Sequence, residues 1–307
     1  MDAARVLELR GIYQVRAKDV VHSPAALFEG LDVIRCFGFD VTEPETVRRR
    51  KIPGGTVKIV FALDGVFGGR AIEPTALVIG MHDRGGRTEH SGRMHSVQVQ
   101  LGPLAARRLL GVPMGELRNT TADLGALIGR PAGELTDRLA HAVDWTQRFA
   151  LVAGFVRDRA AAAAPADPAI THAVAALRRI AAAPADPAIT HAEAALRRTA
   201  AAPADPAITH AVAALRRQRG TAVTALADEI GWSHRYFRRR FTEQVGLPPK
   251  DYSSLLRFSH ALTVLGSDPS AVAADLGYYD QSHLIRDFHR FAGTTPGRLF
   301  APADTSP

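Results

Sequence analysis

Two segments in the last third of the chain repeat one arrangement of apolar residues, glycine and helix caps. The first, Thr221 to Gly246, places apolar residues on one helical face, breaks at Gly231 and restarts at Ser233, a residue type that caps helices. The second, Asp268 to Gly293, repeats this order with a glycine at the break and Asp280 as the cap. A helix, a tight turn and a second helix form a helix-turn-helix unit. The sequence therefore predicts two such units.

The second helix of each unit has an apolar face and a free polar face. Phe237 and Phe241 share one face of the first, and Leu284, Phe288 and Phe291 share one face of the second. The free faces of the two helices carry Arg235, Arg238 and Arg239 in the first unit and Gln281, Ser282, His283 and Arg286 in the second. The second helix of a helix-turn-helix unit commonly enters the major groove of DNA, so these residues are candidate DNA-binding residues. We add His234, next to Arg235, to this set.

A single helix is predicted between the two units. It runs from Pro249 to Leu265 and would be about 25 Å long at the usual rise per residue. That length suits two recognition helices that enter the major groove roughly one DNA turn, about 34 Å, apart.

This order resembles the DNA-binding domain of the AraC family of bacterial regulators, over residues 205–300. The segments that carry the resemblance are ALADEIGWSHRYFRRRF and VAADLGYYDQSHLIRDFHRFAGTTPGRLF. The resemblance implies a transcriptional regulator of double-stranded DNA, with bases read from the free-face residues named above. Arg240 departs from the family by replacing an apolar residue, and we expect it to add charge near the DNA. Pro269 also departs and moves the start of its helix.

A nineteen-residue unit, PADPAITHAVAALRRIAAA in its first copy, occurs in three nearly identical copies before the first helix-turn-helix unit. In each copy an aspartate followed by proline can cap and start a short helix. Glu193 replaces a valine of the apolar stripe in the middle copy, where burial without a partner would be costly. The units are shorter than those of helical repeat arrays. We therefore interpret residues 161–203 as a helical, Ala-rich spacer, with the third copy joined to the DNA-binding domain at 204–307.

Residues 1–160 are expected to form a β-rich domain followed by helices. Segments such as VKIVFAL and ALVIG indicate strands, and helical spacing begins near Leu104. In SVQVQL, Val97, Val99 and Leu101 alternate with polar residues, which predicts a half-exposed strand with Ser96, Gln98 and Gln100 in solvent. The family resemblance implies a barrel-like sensing or dimerising domain here. The predicted fold class is α+β, with an all-α C-terminal domain.

The composition shows an excess of basic over acidic residues and a single cysteine. Lys and Arg outnumber Asp and Glu by 38 to 31, which gives a formal net charge of +7 and makes a polyanionic partner plausible. The one cysteine, Cys36, lies among apolar residues and cannot form an internal disulfide. No stretch suits a membrane span or a signal peptide, so we expect a cytoplasmic protein without a cofactor.

Two alternatives and several questions stay open at this point. His82, His90 and His95, with Asp83 and Glu89, could hold a metal in a barrel enzyme, although they lack the short pairing that directs ligands at one point. A DNA-repair protein would need a reactive cysteine, and Cys36 has no such setting. RNA polymerase, a small-molecule effector and a second copy of the chain are further candidate partners. Whether the protein activates or represses, and at which operator, is not determined.

Overall fold

The computed structural model describes residues 19–67, 70–162, 204–217, 222–264 and 277–300. The strands are β1 Val20–His22, β2 Val33–Lys51, β3 Val57–Phe67, β4 Arg70–Ile72, β5 Thr75–Ile79, β6 Gly86–Leu101 and β7 Thr121–Asp123. The helices are α1 Pro103–Leu110, α2 Leu124–Ile128, α3 Arg130–His141, α4 Trp145–Ala162, α5 Pro206–Arg217, α6 Val223–Ile230, α7 His234–Val245, α8 Pro249–Val264, α9 Gln281–Ala292 and α10 Pro296–Phe300. Short 3-10 helices cover Ala25–Phe28 and Met114–Leu117. We call residues 19–162 the N-terminal region and 204–300 the C-terminal region.

All seven strands belong to one antiparallel sheet. Its order is β1-β2-β6-β3-β5-β7, and β4 pairs with β3. Strands β2 and β6 pair over their whole length, from Val33 opposite Leu101 to Lys51 opposite Gly86. Strand β3 pairs with the second half of β6, so the outer parts of β2 and β6 extend beyond it as a two-stranded arm. The β-rich prediction for this half of the chain is confirmed, and the order of the paired strands ends at β1 and β7.

The predicted exposure of strand β6 is half wrong. Val97, Val99 and Leu101 are buried in the main core, as the alternation predicts. Ser96, Gln98 and Gln100 are also buried, with Gln98 fully so. On the same face of the sheet, the neighbouring strands place Phe37, Phe39 and Val60 beside them, and these apolar residues are also buried. This face is therefore a second buried surface and does not lie in solvent.

Helix α3 packs on strands β3 and β5, and helix α4 packs on strand β2. Gly38 on β2 lies directly under the ring of Trp145, and a Cβ atom at this position would overlap that ring. Phe149 stacks on Trp145 at 6.1 Å between ring centroids and is fully buried. Cys36 is also buried, and burial raises the pKa of its thiol to about 12. The thiol therefore stays protonated at neutral pH.

The third repeat copy forms helix α5, as predicted. Asp205 caps it by accepting a hydrogen bond from the Ala207 amide at 3.0 Å, and Pro206 is its first residue. Ile208 and Leu215 are at most 1% exposed, and α5 packs against α7 of the first helix-turn-helix unit and against the connecting helix α8. The first two copies, and the helix predicted around Val272 to Leu276, lie outside the described residues.

The two regions share one continuous apolar core. The 3-10 helix Met114–Leu117 packs against the C-terminal half of α7, where Gly115 approaches the Thr242 carbonyl. Gly246, directly after α7, lies against Met114, and its φ of 94° also favours glycine. The sequence did not predict this contact.

Candidate nucleic-acid interface

The first helix-turn-helix unit consists of α6 and α7, joined by a short turn. Gly231 ends α6 with a φ of 75°, a conformation that suits glycine. Ser233 then caps α7, because its hydroxyl accepts a hydrogen bond from the Tyr236 amide at 3.3 Å. Both residues have the roles that the sequence predicted.

Helix α7 is held from one side and exposed on the other. Phe237 and Phe241 are buried and lie 5.6 Å apart between ring centroids. On the opposite side, Arg235, Arg238 and Arg239 are exposed. The structure thus brings the three predicted arginines together on one accessible face.

Tyr236 is a surface residue of this face that the sequence analysis missed. Its ring lies under the guanidinium of Arg239 at 5.2 Å and meets the ring of Trp232 edge-on at 4.8 Å. Such a contact restricts the arginine before any ligand binds. The signal in the sequence was its spacing, since residues three apart lie side by side on a helix.

Two basic residues of α7 are engaged within the protein. The His234 ring lies 3.2 Å from the Asp228 carboxylate of α6, and both are exposed. Arg240 donates to Glu243 at 2.9 Å and lies 3.7 Å from Asp205. These carboxylates hold its guanidinium toward the start of α5 and offset the charge that Arg240 is expected to add near the DNA.

The second recognition helix, α9, is built like the first. Asp280 caps it by accepting from the His283 amide at 2.6 Å, and Gly293 ends it with a φ of 64°. Leu284, Phe288 and Phe291 are buried, as predicted, together with Asp287 and Ala292. Phe258 of the connecting helix α8 lies 5.0 Å from both of these phenylalanine rings and so joins α8 to α9.

The predicted DNA-binding residues of α9 are not equally accessible. Gln281, Ser282 and Arg286 are exposed. His283 is half-buried, with its ring edge-on to Tyr278 at 5.3 Å. The Arg286 Nε donates to the Ser282 carbonyl at 3.3 Å, so this side chain lies along its own helix.

A cleft of about 550 Å³ separates the arginines of α7 from the N-terminal region. Its walls carry Arg235, Arg238 and Arg239 on one side and Glu116 and Arg118 on the other. The first recognition helix therefore lies beside the N-terminal region, with its charged face open to solvent.

The described residues of the metal hypothesis contact different groups. Asp83 accepts hydrogen bonds from Arg118 and Asn119, and the His82 Nδ1 lies 2.8 Å from the Gly80 carbonyl. His95 packs edge-on against Trp145 at 5.6 Å. The side chains of Glu89 and His90 lie outside the described residues. Among the residues that the structure describes, no group of three His, Cys, Asp or Glu is arranged to hold a metal.

Two known families match the sequence. The family described as a helix-turn-helix domain matches residues 226–301. Residues 226–301 are an AraC-type helix-turn-helix domain. A domain of unknown function (DUF6597) matches residues 30–123, which contain the sheet. The chain therefore combines a β-rich N-terminal region with a helical C-terminal domain of the DNA-binding helix-turn-helix type.

Solved structures of ToxT from Vibrio cholerae resemble the chain only distantly. One crystal form has 9% identity and a TM-score of 0.37, with 86% of this chain and 97% of ToxT covered. ToxT bound to (E)-4-(8-methylnaphthalen-1-yl)but-3-enoic acid has 8% identity and a TM-score of 0.41, with the same coverage. ToxT bound to an unsaturated fatty acid has 10% identity and a TM-score of 0.34, with 89% and 96% covered. Scores below 0.5 do not support an inference about this chain, and no curated protein matches its sequence.

None of the described helices is long and apolar enough to cross a membrane.

Proposed function

We propose that the protein regulates transcription by reading two adjacent major-groove segments, one with α7 and one with α9. The observation that carries this proposal is the shared design of the two helices. Each is capped at its N-terminal end, buries its phenylalanines and exposes polar side chains near the end that enters a groove. The connecting helix α8 has sixteen residues, or about 24 Å, which suits two sites near one DNA turn apart.

The exposed side chains suit different bases. Arg235, Arg238 and Arg239 can each donate two hydrogen bonds to guanine, and Gln281 can do the same to adenine. Arg286 can reach guanine once it leaves the Ser282 carbonyl. Ser282 and His283 lie beside them, and His234 can contact a phosphate after it leaves Asp228. A protein–DNA interface also uses many of its hydrogen bonds on phosphates, so some of these arginines position the helix and do not read a base.

The DNA-binding domain extends beyond the matched segment, from 204 to 307. The backbone amide of Asp205 donates to Gln244 of α7 at 2.8 Å, Leu215 is buried, and α5 packs against α7 and α8. Residues 1–160 form the sensing or dimerisation domain, and 161–203 the spacer. RNA polymerase and a second copy of the chain remain candidate partners. The protein acts on DNA in the cytoplasm, and the burial of Cys36 gives no support to a thiol enzyme.

Selection of binding sites from random duplex DNA by the full chain tests this proposal. We expect a consensus with two conserved blocks whose centres lie about one helical turn, 10 to 10.5 base pairs, apart. Affinity for the selected duplex should fall steeply with salt, because lysine and arginine contacts to phosphates release counterions. A single short block, or binding that is indifferent to salt, would contradict the two-helix mechanism.

A further inference from the structure

A cavity of about 480 Å³ in the N-terminal region is lined by cationic side chains. It lies where the end of β2 and the start of β3 meet the end of β5 and the start of β6. Its charged and polar lining includes Lys51, Lys58, His82, Arg84, Arg87 and Asn119. None of the described residues that line it is an aspartate or a glutamate. The lining is therefore complementary to a negative charge.

Lys58 is the deepest of these cations. It is 7% exposed, and burial, followed by the charges of Lys51 and Arg35, lowers the pKa of its ammonium group to about 8. The repulsion between these neighbouring cations is reduced when an anion binds between them. In the sequence, this lysine was visible as the one charge inside the apolar segment VKIVFAL.

His82 shares this electrostatic environment. Burial, together with the charges of Lys51 and Lys58, lowers the pKa of its imidazole. Its Nδ1 lies 2.8 Å from the Gly80 carbonyl, which fixes the ring at the cavity wall. Three cationic or basic groups from separate parts of the chain therefore converge on the same space.

Unsatisfied polar groups lie further along the same face of the sheet. In the pairing of β3 with β6, Lys58 is opposite Gln100 and Val60 is opposite Gln98. Gln98 is fully buried, and neither of its side-chain amide atoms has a hydrogen-bond partner. The hydroxyl of Ser96, two residues away, is also unpaired. Buried polar atoms of this kind usually have a partner, which is often water or a ligand.

We propose that this cavity binds a small organic molecule through a carboxylate or phosphate group, with Lys51 and Lys58 contacting the anion. His82 lies at the same wall and can bind a further polar group of the molecule through its Nε2. Arg84 already lies 3.4 Å from the carboxylate of Asp83 and is largely exposed, so it contributes mainly a long-range charge.

The cavity wall is also the contact between the N-terminal region and the second recognition helix. The Gly85 amide donates to the Arg290 carbonyl at 3.1 Å, and the Arg290 Nε donates to the Asp83 carbonyl at 2.8 Å. Arg50, next to Lys51, donates to the Ala292 carbonyl at 2.7 Å. An anion that moves Lys51 or the 83–85 segment therefore moves the end of α9. This coupling rests on the proposed function, whereas binding of the anion does not.

Binding is tested on the full chain without DNA. Thermal unfolding and titration calorimetry are measured with inorganic phosphate and with succinate, at ionic strength matched with potassium chloride. Succinamide, a neutral analogue of succinate of similar shape, is the ligand control. We expect at least one of the two anions to raise Tm and succinamide to leave it unchanged. No effect of either anion at about 10 mM, or an equal effect of succinamide, overturns the site.

The matched variants are Lys58→Met in the cavity and Arg108→Gln on the exposed surface of α1. Lys58→Met should weaken anion binding at least tenfold, because it removes the most deeply buried cation of the cavity. Arg108→Gln, which also removes one positive charge, should keep the affinity of the unaltered chain. A Lys58→Met variant that is folded and binds the anion normally overturns the assignment, and calorimetry on Lys51→Gln provides a second test if Lys58→Met does not fold.

The coupling is tested separately, with the duplex that the site selection yields. Saturating anion should change the Kd for this duplex at least threefold in the unaltered chain, and the change should disappear in Lys58→Met. An anion that binds without altering the Kd overturns the coupling and leaves the site. Failure of specific DNA binding without any anion counts against the proposed function alone.

Discussion

The two recognition helices have the same internal design and different surroundings. Each has twelve residues, a side-chain cap and a terminal glycine. Helix α7 exposes three arginines, and its C-terminal half packs against the 3-10 helix Met114–Leu117. Helix α9 exposes Gln281, Ser282 and Arg286, and the carbonyls at its C-terminal end accept hydrogen bonds from the N-terminal region.

The difference indicates that the two helices contribute differently to affinity and to sequence preference. Charge contributes affinity for any sequence, so α7 should supply most of the salt-dependent binding. Neutral side chains bind DNA through base edges, so α9 should depend more on the operator. Packing contacts hold α7 against the N-terminal region. Hydrogen bonds hold the end of α9 against the same region, and each contributes a net stabilisation of about 1 kcal/mol. The second helix is therefore the easier one to reposition.

The largest expected effect comes from two buried leucines. Leu215 lies in α5, which packs against α7 of the first unit, and Leu284 lies in α9 of the second unit; they are 1% and 0% exposed. Replacing either by Ala should cost about 2 to 5 kcal/mol of unfolding free energy, because each leaves a cavity. Urea unfolding followed by circular dichroism measures both. The exposed residue Thr224 of α6 provides a control, since Thr224→Ala should change stability little.

The pair of variants also tests the independence of the units. If the domain unfolds as one body, both substitutions shift the same single transition. Two transitions, each sensitive to one leucine, would show that the units are stable separately and would make the comparison sharper.

The next effect concerns the segment that holds α9. Burial alone would raise the pKa of Asp83, but hydrogen bonds from Arg118 and Asn119, and the charge of Arg118, lower it below its usual value. A carboxylate with a lowered pKa stabilises the fold above its unfolded-state pKa of about 3.9 and loses that contribution as the pH falls through the folded-state value. Asp83→Asn should therefore cost about 1.5 to 3 kcal/mol at pH 7 and much less in acid.

Hydrogen exchange locates this effect. In Asp83→Asn, amides near the end of α9 should exchange faster, whereas those of α7 should keep their protection. Faster exchange in α7 alone would reverse the proposed difference between the two helices. Asp137, an exposed aspartate of α3, gives the control variant Asp137→Asn.

The recognition arginines come next in size. Arg239→Ala should relax the preference at particular base pairs in one half of the site, and Arg286→Ala should do so about one helical turn away, each by about 1 to 3 kcal/mol. Site selection from random DNA by each variant measures the change. Arg130, an exposed residue of the N-terminal region, supplies the control Arg130→Ala. If a variant binds all sequences more weakly and selects an unchanged consensus, the arginine that it lacks contacts phosphates and not bases.

The smallest effect is expected from shortening the spacer. Deletion of residues 165–202 removes the first two repeat copies and keeps the third, which forms α5. The loop-closure entropy changes by only about 0.6 kcal/mol for each doubling of length, so both domains should remain folded with nearly the same Tm. Loss of the N-terminal fold on deletion would show that the first two copies are structural.

Local patterns predicted the caps and ends of the helix-turn-helix elements that the structure describes. Ser233, Asp280, Gly231 and Gly293 have the predicted roles, because caps and left-handed glycines depend on neighbours within four residues. The same holds for the burial of Phe237 and its counterparts in α9. These features needed no knowledge of the rest of the chain.

The sequence analysis was less accurate for features that depend on residues far apart in the sequence. Gln98 alternates with apolar residues as an exposed residue would, yet it is fully buried beside Phe37 and Val60 of the neighbouring strands. Arg240 belongs to a basic cluster, yet Asp205, far away in the sequence, attracts it. The contact of Gly85 with the Arg290 carbonyl joins residues that no periodicity relates. The recognition residues themselves were predicted from the family pattern, and their proposed contacts with DNA still await the experiments above.

Helix α5 has a consequence for how this chain can vary between strains. Three almost identical coding segments in tandem invite unequal recombination, and each event adds or removes whole copies without a frameshift. Most events leave a suitable helix beside the first helix-turn-helix unit, because every copy contains the Asp-Pro start and the isoleucine and leucine of the buried face. The exception is an event that brings the copy with Glu193 next to this unit. It would place a carboxylate at the position of Val212, which is 6% exposed, at a cost of several kcal/mol. Natural selection should therefore tolerate changes in copy number, but it should disfavour chains in which the copy with Glu193 lies next to the first helix-turn-helix unit.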